Sequence, residues 1–185
     1  MLEAADIYVL ALGTVLLLWF SRRSLLHVQT HGFYRFFAFE GILLLLVTNF
    51  WHWVDNPFSL PQIASWILLF ASAFLAIHAF WLFHAVGIPS SQPRPGPDCS
   101  FEQTTHLVTI GAYRFIRHPM YGSLLCLAWG ICLKNITSRT ILVSVFVSLS
   151  LYFTAQVEEK ENLRRFGEPY LSYMKKTKRF IPFLW

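Results

Sequence analysis

The segment Leu107 to Gly122 reads LVTIGAYRFIRHPMYG and gathers Arg114, Arg117, His118, Tyr113 and Tyr121 into one short stretch. Pro119 suits the first position of a helix, where its missing N–H costs nothing, so His118 falls at the cap and Arg117 just before it. A helix start offers unpaired N–H groups and the positive end of the helix dipole, and with an arginine and an imidazole beside it this one could hold an anion. Tyr113 and Tyr121 would add aromatic, hydrogen-bonding walls. The competing reading makes Arg114 and Arg117 topology-setting charges and His118 an interfacial cap.

A second cluster, Glu158-Glu159, closes a long apolar run. Acids on a solvated helix face commonly have a basic partner three or four residues on. Glu158 instead meets Glu161 and Asn162, and Glu159 meets Asn162 and Leu163; only Glu161 has such a partner, in Arg164 or Arg165.

The elements that must position these groups are membrane helices. The 185 residues are 55% hydrophobic and 14% charged, whereas a soluble domain carries about 25% charged residues. Five apolar stretches are candidate spans: Asp6 to Phe20, Phe36 to Val54, Ile63 to Gly87, Met120 to Leu133 and Ile141 to Val157. Five passes would put Arg22, Arg23, Arg35, Arg94, Arg114, Arg117, Lys160, Arg164, Arg165, Lys175, Lys176, Lys178 and Arg179 on one side, and only Lys134 and Arg139 on the other. That asymmetry predicts an all-α polytopic protein with its N-terminus outside and its C-terminus in the cytosol. A hairpin of the last two spans then returns Glu158-Glu159 to the face that carries Arg117. Read this way, the net charge of +5 marks topology rather than nucleic-acid binding.

Residues 1–87 are expected to be a scaffold of three spans and 88–185 the region that carries the chemistry. Between the two, Ile88 to Ile110 opens with Pro89, Pro93, Pro95 and Pro97, a composition that no helix interior accepts. A connection this long is read as functional. Gly167 is expected to stop a charged helix, with Pro169 in the first turn of the next. Cys99, Cys126 and Cys132 have neither disulfide nor zinc spacing, and His78 with His84 lacks a third ligand, so no metal is expected. Glu3 and Asp6 argue against a cleaved signal at the N-terminus, and the last residues carry no lipidation cysteine.

These motifs together resemble the integral membrane methyltransferases that include isoprenylcysteine carboxyl methyltransferase and the phospholipid N-methyltransferases. The resemblance runs from His106 to Pro182, through LVTIGAYRFIRHPMY, Glu158-Glu159, FGEPYLSY (Phe166 to Tyr173) and Arg179-Phe180-Ile181-Pro182. It implies S-adenosylmethionine in a cytosol-facing pocket formed by Thr105, His106, Leu107, Val108, Tyr113, His118, Pro119, Met120, Tyr121 and Glu158. Isoprenylcysteine enzymes have an arginine where this chain has Thr154, and phospholipid enzymes a second glycine where it has Tyr113.

The expected reaction is methyl transfer to a lipid-like or prenylcysteine-like acceptor, with carboxylate O-methylation favoured over amine N-methylation. Arg117 would grip a carboxylate with two hydrogen bonds, whereas an amine would need Glu159 or His118 as base. Glu40, an acid within the second span, would line the substrate route or pair with Arg35. Asn49 and His52 are read as packing or interface residues. The rival functions are a non-catalytic sensor or complex subunit with the same fold, and a transporter.

Overall fold

The computed structural model describes residues 3–86 and 107–181. Thr105, His106 and most of the Pro-rich connection therefore lie outside the described residues. Among the described residues six α-helices follow one another: α1 Ala4–Leu25, α2 His31–Asn49, α3 Leu60–Val86, α4 Pro119–Cys132, α5 Ser138–Phe166 and α6 Glu168–Lys176. Among the described residues there is no strand, only a two-residue parallel bridge between Ile116 and Lys178. The expected all-α membrane architecture is the one observed.

Local chemistry sets the helix boundaries. Glu3 and Asp6 cap α1 reciprocally, Thr137 and Thr140 do the same for α5, and Pro119 opens α4 with His118 at the cap. Gly167, at φ 62° and ψ −135°, ends α5 and admits α6 with its early proline.

Among the described residues four helices, α1, α2 with a 3-10 turn running to His52, α3 and α5, are long and apolar enough to cross a membrane. The count of about five spans is refined at α4. Its 14 residues extend roughly 21 Å at about 1.5 Å per residue, less than the ~30 Å of bilayer hydrocarbon. Pro119 delays its start, and the chain turns at Leu133.

α1 packs on α2, α2 on α5, and α3 on α4, while α4 also touches α2 and α5. Lipid is as apolar as leucine, so close approach and hydrogen bonds must hold such helices together. Ser65 Oγ donates to the Gly130 carbonyl at 2.6 Å and Ser72 Oγ to the Ser123 carbonyl at 2.8 Å, tying α3 to α4. Trp129 Nε1 reaches Ser148 Oγ across α4 and α5 at 3.1 Å. A buried core of Ala38, Ile42, Leu45, Ala128, Ile131, Val147 and Leu151 fills the space between α2, α4 and α5.

The two ends of the bundle differ. At one, the short turn between α1 and α2 meets the far end of α5, where His31 Nδ1 lies 2.5 Å from Glu161 Oε2. Glu161 thus finds a partner on α2, beyond the one expected at Arg164 or Arg165. At the other end, buried Lys134 donates to Gln62 Oε1 at 2.9 Å and sits over the Trp66 ring at 3.8 Å. His52 pairs there with Asp55 at 2.9 Å, and Asn49 is buried, its amide bonded to the Leu45 carbonyl at 3.0 Å.

Gly41 leaves α5 room to approach α2, since a Cβ there would run into Val147 Cγ2. Gly41→Ala is therefore expected to lower the unfolding free energy by about 1–3 kcal/mol, measurable by reversible denaturation in mixed micelles.

Candidate active site

The last turn before α4 is shaped by α3. Gly111 has φ +59°, and a Cβ on it would collide with Leu82 Cδ1 and press to 2.9 Å on His78 Nε2. Val108 and Tyr113 pack on Ala79 and Leu82 in a small buried cluster that Met120 joins. α3 is thus a wall of the site as well as scaffold, and His78 serves here in packing.

The segment then pairs with the chain's C-terminal part. Lys178 N–H donates to the Phe115 carbonyl at 3.0 Å, Arg117 N–H to the Lys178 carbonyl at 2.8 Å and His118 N–H to the Arg179 carbonyl at 3.1 Å. Tyr173 Oη adds a bond to the Tyr113 carbonyl at 2.6 Å. Burial pushes the Tyr113 and Tyr173 hydroxyls well above the usual phenol range, Tyr113 further by the nearby Glu158, so both remain protonated donors.

At the centre lies Glu159, 5% exposed. Its Oε1 accepts from Arg117 Nε at 2.8 Å and from Arg179 Nε at 3.1 Å; its Oε2 accepts from Arg179 Nη2 at 2.6 Å. Arg117 Nη1 turns to the carbonyls of Met174, at 3.2 Å, and Thr177. The Arg179 guanidinium lies 5.0 Å above the Tyr152 ring, and Glu159 holds its pKa above the ordinary arginine value.

His118 is the neighbour of both acids. Its Nδ1 is 3.8 Å from Glu158 Oε2 and its Nε2 3.4 Å from Glu159 Oε1. Nε2 is buried and makes no hydrogen bond. The imidazole stacks on Tyr121, centroids 5.3 Å apart, and Tyr121 Oη donates to Glu158 Oε2. His118 does not cap α4 with its side chain. Glu158, with its side chain 29% exposed, is the more accessible acid.

The structure therefore brings together Val108, Tyr113, Arg117, His118, Pro119, Met120, Tyr121, Glu158 and Glu159, with Leu107 at the start of the described segment. Glu40 stands apart. Its Oε2 accepts from Thr14 Oγ1 on α1 at 3.0 Å, its Oε1 is buried without a hydrogen bond, and it lines a groove with Leu10, Leu44 and Phe146. The adjoining Gly41 packs on Val147, eleven residues before Glu158 and so roughly 16 Å away along α5. Sequence reasoning missed Arg179 as Glu159's partner, although its RFIP motif was visible. Among the described residues, no group of three His, Cys, Asp or Glu could hold a metal.

A membrane helix bundle with a buried Arg-His-Glu cluster at one end of its last hairpin is the class that this geometry defines. Residues 63–168, more than half of the chain, match the phospholipid methyltransferase family, and the chain belongs to that family. The match begins inside α3, consistent with α3 forming a wall of the site. Methanethiol S-methyltransferase 1 of Bradyrhizobium diazoefficiens is 25% identical, over 80% of this chain and 53% of its own length. Methanethiol S-methyltransferase of Pseudomonas deceptionensis is 27% identical, over 76% of this chain and 56% of its own. The chain spans about half the length of these relatives. No solved structure matches it significantly.

Replacing Glu159 by Gln leaves two half-buried guanidinium groups without their counter-charge. Glu159→Gln is expected to cost about 3–5 kcal/mol of stability, seen as a large drop in thermal midpoint. Glu158→Gln, at a wetter position, should change that midpoint far less.

Proposed function

We propose that this protein is an S-adenosylmethionine-dependent membrane methyltransferase whose donor and acceptor meet at the start of α4. The observation that carries this reading is the convergence of the start of α4, His118 buried between the two acids, and the part-exposed Glu158. The donor's chemistry fits that set: the helix start suits its carboxylate, Glu158 its ammonium or ribose hydroxyls, and Leu107, Val108, Tyr113, Met120 and Tyr121 its apolar surfaces. Thr105 and His106 would complete the pocket. When bound, S-adenosylmethionine supplies an electrophilic methyl group on a sulfonium. The protein's contribution is alignment and the exclusion of water.

The acceptor is best read as a small lipophilic thiol. A carboxylate would need a cation, and both guanidinium groups of the cluster are turned to Glu159. The relatives' names point to a thiol acceptor. A thiol must lose its proton as the S–methyl bond forms and the sulfonium C–S bond breaks. We assign that proton to His118, since Glu159 already accepts from two guanidinium groups.

The thirteen-to-two charge asymmetry supports a cytosolic position for this end of the bundle, with the acceptor arriving from the bilayer. The catalytic unit then extends from α3 to the C-terminal segment, and α1 and α2 are its scaffold.

Calorimetric titration of the detergent-purified protein with S-adenosylmethionine and S-adenosylhomocysteine tests the reading. Saturable binding is expected, and it should be lost in a His118→Ala, Glu158→Ala double variant. Incubation with a short-chain alkanethiol, a prenylcysteine and a long-chain amine should then methylate the thiol. No binding to the native protein would favour a non-catalytic sensor or subunit, and methylation of the prenylcysteine alone would restore the carboxylate reading.

A further inference from the structure

We propose that Arg179 is a positioning residue for methyl transfer, acting through Glu159 to hold His118 in place, and that Arg117 and Glu159 share this role instead of touching the acceptor. The inference rests on the methyltransferase reading above and adds a residue from the far end of the chain.

Three observations carry it. The backbone at Arg179 accepts the His118 N–H at 3.1 Å, which brings the side chain to the site whatever its chemistry, and the guanidinium holds both oxygens of the Glu159 carboxylate beside the imidazole. A fork bound to both oxygens fixes the carboxylate's orientation as well as its charge. Second, Arg117 and Arg179 supply the shorter contacts of Glu159, and His118 Nε2 stands further off, at 3.4 Å from Oε1. Without Arg179, half of the carboxylate loses its donors, and His118 is the next group within reach. The imidazole would then be drawn into a bond with Glu159 and away from the reacting atoms. Third, Arg179 is held by a cation–π contact with Tyr152 as well as by Glu159, which keeps its side chain from swinging outward.

The experiment compares full-length native protein with Arg179→Ala and Arg179→Lys. It measures kcat and KM for methyl transfer to a short-chain alkanethiol, the affinity for S-adenosylhomocysteine, and amide hydrogen exchange without ligands. Misplacement of a catalytic group by about 1 Å can cost on the order of 100-fold. Arg179→Ala is therefore expected to lose about that factor in kcat, while its S-adenosylhomocysteine affinity stays native. Added methylguanidinium should restore part of the turnover; Arg179→Lys, which cannot span both carboxylate oxygens, should fall between native and Ala.

Amide exchange in the centres of α4 and α5 should stay as protected in Arg179→Ala as in the native protein, which shows that the variant is folded. Native turnover in Arg179→Ala, or a fall in S-adenosylhomocysteine affinity parallel to kcat, would overturn the positioning role. Failure of the native protein to bind S-adenosylhomocysteine would instead strike the functional reading.

Discussion

A single buried carboxylate organises the working end of this protein. Glu159 lies at the end of a membrane helix, where an uncompensated charge would be costly, and two arginines from distant parts of the chain neutralise it. Because a desolvated ion pair is stable only when its geometry is complete, three segments must assemble together: the approach to α4, the end of α5 and the stretch after α6. His118, Tyr121 and Glu158 inherit their places from that assembly. The backbone ladder from Phe115 to Arg179 and the buried tyrosines of α6 reinforce the same joint.

The rest of the fold delivers these segments to one level. α5 runs unbroken for 29 residues and carries its two acids to the bundle's end. α4 is short, so its N-terminus and cap lie beside those acids, and α3 holds it there through Ser65 and Ser72. The opposite end is closed by Lys134 against Trp53, Trp66 and Gln62. α1 packs chiefly on α2, its exposed face being apolar, as suits contact with lipid.

Much of this could be read from the residues. Apolar runs located the long helices, Gly167 and Pro169 marked the junction of α5 and α6, and Pro119 gave the start of α4, because each acts through its own backbone. The meeting of Arg117 with the paired glutamates followed from the parity of the spans. What escaped was set by contacts between residues far apart in sequence. Arg179 reaches Glu159, His31 reaches Glu161, and Thr14 reaches Glu40, and no local spacing announces such pairs. Acids at membrane depth are rare, which singles out Glu40 as lining the substrate route or pairing with Arg35. The place of Glu40 on the α1 side of α2 depends on helix rotation, which the apolar pattern of a nearly uniform span leaves undetermined.

The claim that the start of α4 and the end of α5 form the donor site is tested most directly by photochemical cross-linking. The native protein, irradiated with S-adenosylmethionine carrying a radiolabelled methyl group and then digested, should show label in the peptides spanning Leu107–Tyr121 and Glu158–Glu159, and excess S-adenosylhomocysteine should abolish it. Label confined to α1 and α2, or unaffected by the competitor, would contradict the account.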